Sequence, residues 1–248
     1  VSPELRRELD SMPLILAEPD APFWGFGEVF IMAATFLIAL SLVGGGALGL
    51  LHETAKLGYW QVIEEFLAYI ILFAALKVVF FWEGKPLFRS LGWVRVAFSS
   101  QSLIGLGIVL SFFSAVLLIA LHPPQVQTPF EKMLSSDVVS RIVITVFGIT
   151  LGPAIEELLF RGFLQPVLTN AAGVFPGILL TSLFFGGLHL SQNAGMWQSG
   201  LVITLAGFAF GVVRHVTGST RASTLTHIGY NSLPFVLTLL QGVNQNSK

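Results

Sequence analysis

The sequence predicts an all-α, polytopic transmembrane bundle of about seven to eight spans. Three observations carry that expectation. Of 248 residues, 54% are hydrophobic and only 11% are charged, against about 25% charged in an ordinary soluble domain. Several apolar runs reach the roughly 17 to 25 residues that a spanning helix needs. None alternates apolar and polar residues as the strands of an outer-membrane barrel do. The expected location is therefore an integral, multi-pass one, in the plasma membrane or, for a bacterial protein, the inner membrane. Cysteine is absent, which excludes thiol nucleophiles, disulfides and cysteine-bound metal. A net charge of −1 argues against a nucleic-acid partner. No basic stretch with a short apolar core and cleavage site opens the sequence, so no removable signal peptide is expected.

Residues 1–22 read as a polar juxtamembrane segment, and 23–248 as one transmembrane helical domain whose motif-bearing core is 128–240. A first span runs from about Phe26 to Leu51 and ends in Gly44-Gly45-Gly46, small residues that suit close helix contact. After the polar stretch His52 to Lys56, a second span, Tyr59 to Trp82, carries aromatic residues at both ends, as an interfacial belt predicts. Glu64 and Glu65 near its start read as solvated charges close to the interface. Lys85, Arg89 and Arg95 mark Glu83 to Ser100 as a cytoplasmic loop. Gln101 to Leu121 is the third span, closed by His122-Pro123-Pro124, and the polar stretch after it suits the opposite side.

Val138 to about Asn170 exceeds a bilayer if unbroken at about 1.5 Å per residue. Gly152-Pro153 is the expected break, with Glu156 and Glu157 then in a first turn facing the helix dipole. Phe175 to Leu190, Gly200 to Val216 and Ala222 to Leu240 complete the spans. Arg214, His215 and Arg221 mark a second cytoplasmic turn. No internal repeat is evident, which counts against an inverted-repeat transporter.

The charges inside these runs point to function. Glu156-Glu157 and Arg161 lie in an apolar helix, where each ionisable group costs at least about 2.5 kcal/mol on insertion scales. Glu157 and Arg161, at i and i+4, can pair, whereas Glu156 points about 100° away and is left chemically free. His227 and Asn231 are likewise one turn apart on one face. His189 follows Gly186-Gly187, where missing bulk can open a cavity. Glu156, His189, His227 and Asn231 thus come from three apolar segments, and one shared polar cavity would satisfy them all. Such a set can hydrolyse a peptide bond: a carboxylate helped by a histidine takes a proton from water, and an imidazole and an amide stabilise the oxyanion. Alternatively, Glu156, His189 and His227 can ligate zinc, although no H-E-x-x-H is present. Serine chemistry ranks lower, because no G-x-S-x-G occurs.

Glu156-Glu157-x-x-x-Arg161, Phe185-x-x-x-His189 and His227-x-x-x-Asn231, in that order on successive segments, resemble the motifs of the CAAX protease and bacteriocin-processing family, also called Abi or CPBP. That family includes the type II CAAX prenyl endopeptidases. The resemblance covers about Thr128 to Leu240 and implies an intramembrane glutamate endopeptidase. It implies Glu156 as general base, His189 as its partner in activating water, His227 and Asn231 as oxyanion donors, and Glu157 with Arg161 as a structural pair. No cofactor is expected, zinc being the alternative. The implied partners are the lipid bilayer and a membrane-associated peptide or protein tail, with a larger membrane complex as a further candidate. Two rival functions are a catalytically idle scaffold within such a complex and a proton-coupled transporter using Glu156 and the histidines as a relay. Simple alternation of seven spans places His227 near the cytoplasmic side and His189 nearer the other, so the motifs and the span boundaries conflict.

Overall fold

A computed structural model describes residues 21–45 and 58–246. Most of the polar segment 1–22, Gly46 and the polar stretch His52 to Lys56 fall outside the described residues. The helices are α1 (Phe26–Gly45), α2 (Tyr59–Trp82), α3 (Leu87–Ser90), α4 (Ser100–Ala120), α5 (Pro129–Ser135) and α6 (Val138–Ile149). They continue as α7 (Leu151–Glu157), a π-helix (Leu158–Leu164), α8 (Gln165–Ala172), α9 (Val174–Leu188), α10 (Trp197–Thr217) and α11 (Thr220–Asn246). No strand occurs among the described residues, so the all-α expectation holds. By length and composition four helices among the described residues can cross a membrane: Phe26–Gly44, Ser100–Ala120, Val138–Ala172 and Trp197–Thr217, with Val174–Leu188 a shorter apolar helix. Seven or eight spans are not reached by that criterion. The protein is nonetheless a multi-pass integral membrane protein.

Its surface shows why. Phe30, Phe81 and Ile119 are each more than 70% exposed, whereas Glu157, Arg161, Ser140 and Thr226 are fully buried. An apolar exterior around a polar interior suits lipid as solvent, because buried backbone and side-chain polar groups must find partners inside. The apolar part of the core is built by α1, α2 and the π-helix: Leu72, Leu76 and Phe80 pack with Leu158, Phe163 and Trp24. Trp24 donates its indole N–H to the Phe163 carbonyl (2.9 Å) while stacking on that ring.

Helix ends follow local chemistry. Thr128 and Glu131 form a capping box on α5, with Pro129 in its first turn. Asp137 caps α6, accepting from the Ser140 amide and hydroxyl, and these bonds hold its carboxyl below its ordinary value. Between α6 and α7 the break falls at Thr150 (φ −116°, ψ −82°), ahead of the expected Gly152-Pro153. Proline acts backwards along the helix: Pro153 has no N–H for the Ile149 carbonyl and its ring crowds that group. The glutamates consequently stand at the end of the seven-residue α7 and run into the π-helix, with no acidic residue in the first turn. The expected dipole interaction is not made.

The basic stretch after α2 is strapped onto the bundle. The Thr220 amide donates to the Gly92 carbonyl (2.8 Å), the Thr220 hydroxyl to Leu91 (2.5 Å) and the Ser219 hydroxyl to Val94 (2.6 Å). Both basic turns therefore lie at one end of the bundle, as their shared sidedness requires. Gly92 has φ +77°, and a Cβ there would also meet the Arg214 guanidinium, so glycine is needed twice over.

α4 and α11 approach each other closely. A Cβ at Gly107 would collide with the Thr226 carbonyl and the Tyr230 amide, and one at Gly229 with the Ile104 carbonyl. Leu103, Gly107 and Ser111, spaced by four, form the buried stripe of α4 that permits this. Gly107→Val should push α11 outward, lowering stability by about 1–3 kcal/mol, the usual range for overpacking. Unfolding in mixed detergent micelles measures it.

Candidate active site

Five of the six residues singled out by sequence meet in one linked cluster around Glu156 and Glu157, and the sixth, Asn231, is bonded nearby. Glu157 is completely buried, and its Oε1 receives the Arg161 Nη1 (3.0 Å) and the His227 Nδ1 (3.0 Å). Arg161, equally buried, donates its Nη2 to the Gly207 carbonyl (2.8 Å), and one turn later Gln165 donates to the Gly211 carbonyl (3.1 Å). The i and i+4 pair on the π-helix and α8 thus reads an i and i+4 pair on α10. Side chains at Gly207 would fill the guanidinium's place, since a Cβ there lies 3.0 Å from Nη2. Glu157 and Arg161 are in this sense the structural pair. π-helical turns concentrate at functional sites, where they re-aim side chains that an α-helix would place elsewhere.

Glu156 points the other way, with its side chain 23% exposed. Its Oε1 lies 3.8 Å from His189 Nε2 and its Oε2 lies 3.7 Å from His227 Nε2. The depth conflict raised by simple alternation disappears. α9 is only 15 residues long, and His189 is the residue that ends it. At about 1.5 Å per residue that helix brings His189 to the level of Glu156 before the chain turns back.

Partners fix the imidazole tautomers. His189 Nδ1 contacts the Phe185 carbonyl (2.7 Å), which only accepts, so Nδ1 carries the proton. His227 Nδ1 faces a carboxylate already paired with arginine, so it also donates. A neutral ring held this way presents its Nε2 lone pair toward Glu156, and a doubly protonated one presents Nε2–H. The separations of 3.7 and 3.8 Å exceed a direct hydrogen bond and suit a bridging water.

Phe185 is the hub beneath these groups. Its ring lies 4.5 Å from the Arg161 guanidinium carbon, 4.6 Å from the His189 ring and 5.8 Å from the His227 ring. Phe210 stacks on the His227 ring (4.5 Å). Phe185→Leu keeps the bulk but removes the ring's negative face, worth about 1 kcal/mol against a cation. Turnover should fall about fivefold with folding retained, as separate kcat and KM measurements would register.

Asn231 is anchored to a neighbouring helix. Its amide nitrogen bonds the Gly148 carbonyl at the end of α6 (2.8 Å), which leaves one N–H for another acceptor. No group of three or more His, Cys, Asp or Glu side chains among the described residues is arranged to hold a metal ion. Sequence reasoning missed Glu65 and Tyr69. Glu65 is half-buried, accepts the hydroxyl of buried Tyr69 (2.8 Å) and interacts electrostatically with Glu156 and His189. It is thus a neighbour of the cluster and not a solvated interfacial charge. The signal available was the four-residue spacing of Glu65 and Tyr69 on one helix face.

One residue from each motif meets at a single carboxylate: His189 Nε2 and His227 Nε2 both lie within 3.8 Å of Glu156. Residues 138–233 match the family model of the Rce1-like proteins, described as type II CAAX prenyl endopeptidase Rce1-like. The Rce1-like stretch runs from the first residue of α6 to within α11 and holds all six residues singled out above. It lies inside the range over which the motifs carried the resemblance. No curated protein and no solved structure gives a match. The Rce1-like match supports a CAAX-protease-type peptidase acting within the membrane.

Proposed function

We propose that the protein is an intramembrane endopeptidase that cuts membrane-associated peptide or protein tails with a water activated by Glu156 and His189. The observation that carries this reading is the placement of both Nε2 atoms, from the end of α9 and from α11, within 3.8 Å of one partly exposed carboxylate. A water between Glu156 Oε1 and His189 Nε2 donates one hydrogen to each and keeps a lone pair for the substrate carbonyl. As the C–O bond forms, its proton passes to Glu156. The developing oxyanion takes hydrogen bonds from His227 Nε2 and from the remaining Asn231 N–H. For this His227 must be doubly protonated, and Glu157 beneath Nδ1 stabilises that imidazolium. Collapse breaks the C–N bond, and the proton held by Glu156 goes to the leaving amine. Glu157, Arg161 and Gly207 position His227 without touching substrate.

The family description makes a prenylated CAAX tail the first substrate to test. Purified protein in detergent is given one peptide with a farnesylated cysteine and the same peptide anchored by a single transmembrane helix. Cleavage confined to the farnesylated peptide is the expected result. Cleavage of the helix-anchored peptide alone removes the prenyl assignment and keeps the peptidase. Absence of cleavage in a well-folded sample favours the scaffold.

A further inference from the structure

A cavity of about 770 Å³, bordered by Arg161, opens at the end of the bundle where the two basic turns meet. Lys85, Arg89, Arg161, Arg214 and His215 line it together with Gln165, and among the described residues its lining contains no aspartate or glutamate. Arg214 is only 7% exposed, and no carboxylate pairs with it among the described residues. Its Nε is buried without a hydrogen-bond partner, as is the Nε of Arg161. A guanidinium withdrawn from water without counter-charge is strongly disfavoured. Its fork of N–H donors matches phosphate oxygens. Phe23, Trp24 and Val174 supply an apolar wall beside the charges, the combination of ring and cation found where headgroup meets acyl chain.

We propose that this cavity binds a phosphate group, that of an anionic phospholipid headgroup or free phosphate, with Arg214 as the buried anchor and Lys85 and Arg89 as the outer cations. The site is separate from the proposed hydrolytic cluster, and only Arg161 touches both. Delipidated protein in detergent is titrated with dioleoyl phosphatidylglycerol, dioleoyl phosphatidylcholine or inorganic phosphate, and bound ligand is counted by native mass spectrometry. Arg214→Gln and the double variant Lys85→Gln/Arg89→Gln are compared with wild type. The double variant alters exposed side chains and keeps the test open should Arg214→Gln fail to fold. Saturable phosphatidylglycerol binding at one site, at least tenfold tighter than phosphatidylcholine and at least tenfold weaker in either variant, establishes the lipid source. Phosphate binding with the same dependence on the variants, without preference for phosphatidylglycerol, establishes free phosphate. Equal binding of the two lipids with no phosphate binding, or affinities unchanged in both variants, overturns the proposal.

Discussion

Glu156→Gln should reduce peptide hydrolysis by about 10²- to 10⁴-fold, the contribution of a positioned general base, while leaving the fold intact. The amide keeps the shape of the carboxylate and can still hold a water, but it cannot accept that water's proton. Glu156 makes no hydrogen bond shorter than 3.7 Å to either histidine, so little structure depends on its charge. A melting temperature within a few degrees of wild type should accompany the lost activity. Retained activity in a folded Glu156→Gln protein would remove Glu156 from the chemistry. Loss of folding would instead assign it a structural role.

The second large effect is expected at the buried pair. Arg161→Met leaves Glu157, at 0% exposure, with a charge compensated only by His227, and it also abandons the Gly207 carbonyl. Breaking a buried pair from one side costs about 3–5 kcal/mol, enough to unfold many membrane proteins in detergent. The double variant Glu157→Gln/Arg161→Met removes both charges and should recover much of that loss, because it is the unpaired charge that is expensive. Activity should stay low in the double variant, since His227 loses the carboxylate that favours its imidazolium. Stability and turnover are therefore expected to separate. If activity returns together with stability, Glu157 has no influence on His227.

How far the sequence went depends on the kind of feature. The pairing of Glu157 with Arg161, and the freedom of Glu156, were legible because four residues is one turn in any helix, and the pair survives even at the edge of a π-helix. Motif spacing located His189 and His227, yet hydropathy put them at different depths. Apolar length measures how much chain can lie in lipid, and it does not say that α9 ends early because His189 closes it. The break at Thr150 was displaced from Pro153 for a similar reason: a proline's steric effect lands on the preceding turn. Glu65 looked solvated because its partner, Tyr69, is amphipathic and also fits an interfacial belt. Nothing in the sequence marks Arg214 as buried, since a basic residue at a span end ordinarily signals only sidedness.

The most direct test of the hydrolytic account is cleavage of the farnesylated peptide by wild-type protein stripped with a chelator and checked for residual metal by mass spectrometry. The account predicts an unchanged rate at less than one tenth of an equivalent of any transition metal, because Glu156 and His189 activate the water themselves. Activity lost on stripping and restored by zinc would contradict it, and would turn Glu156, His189 and His227 into ligands instead of a base and its partners.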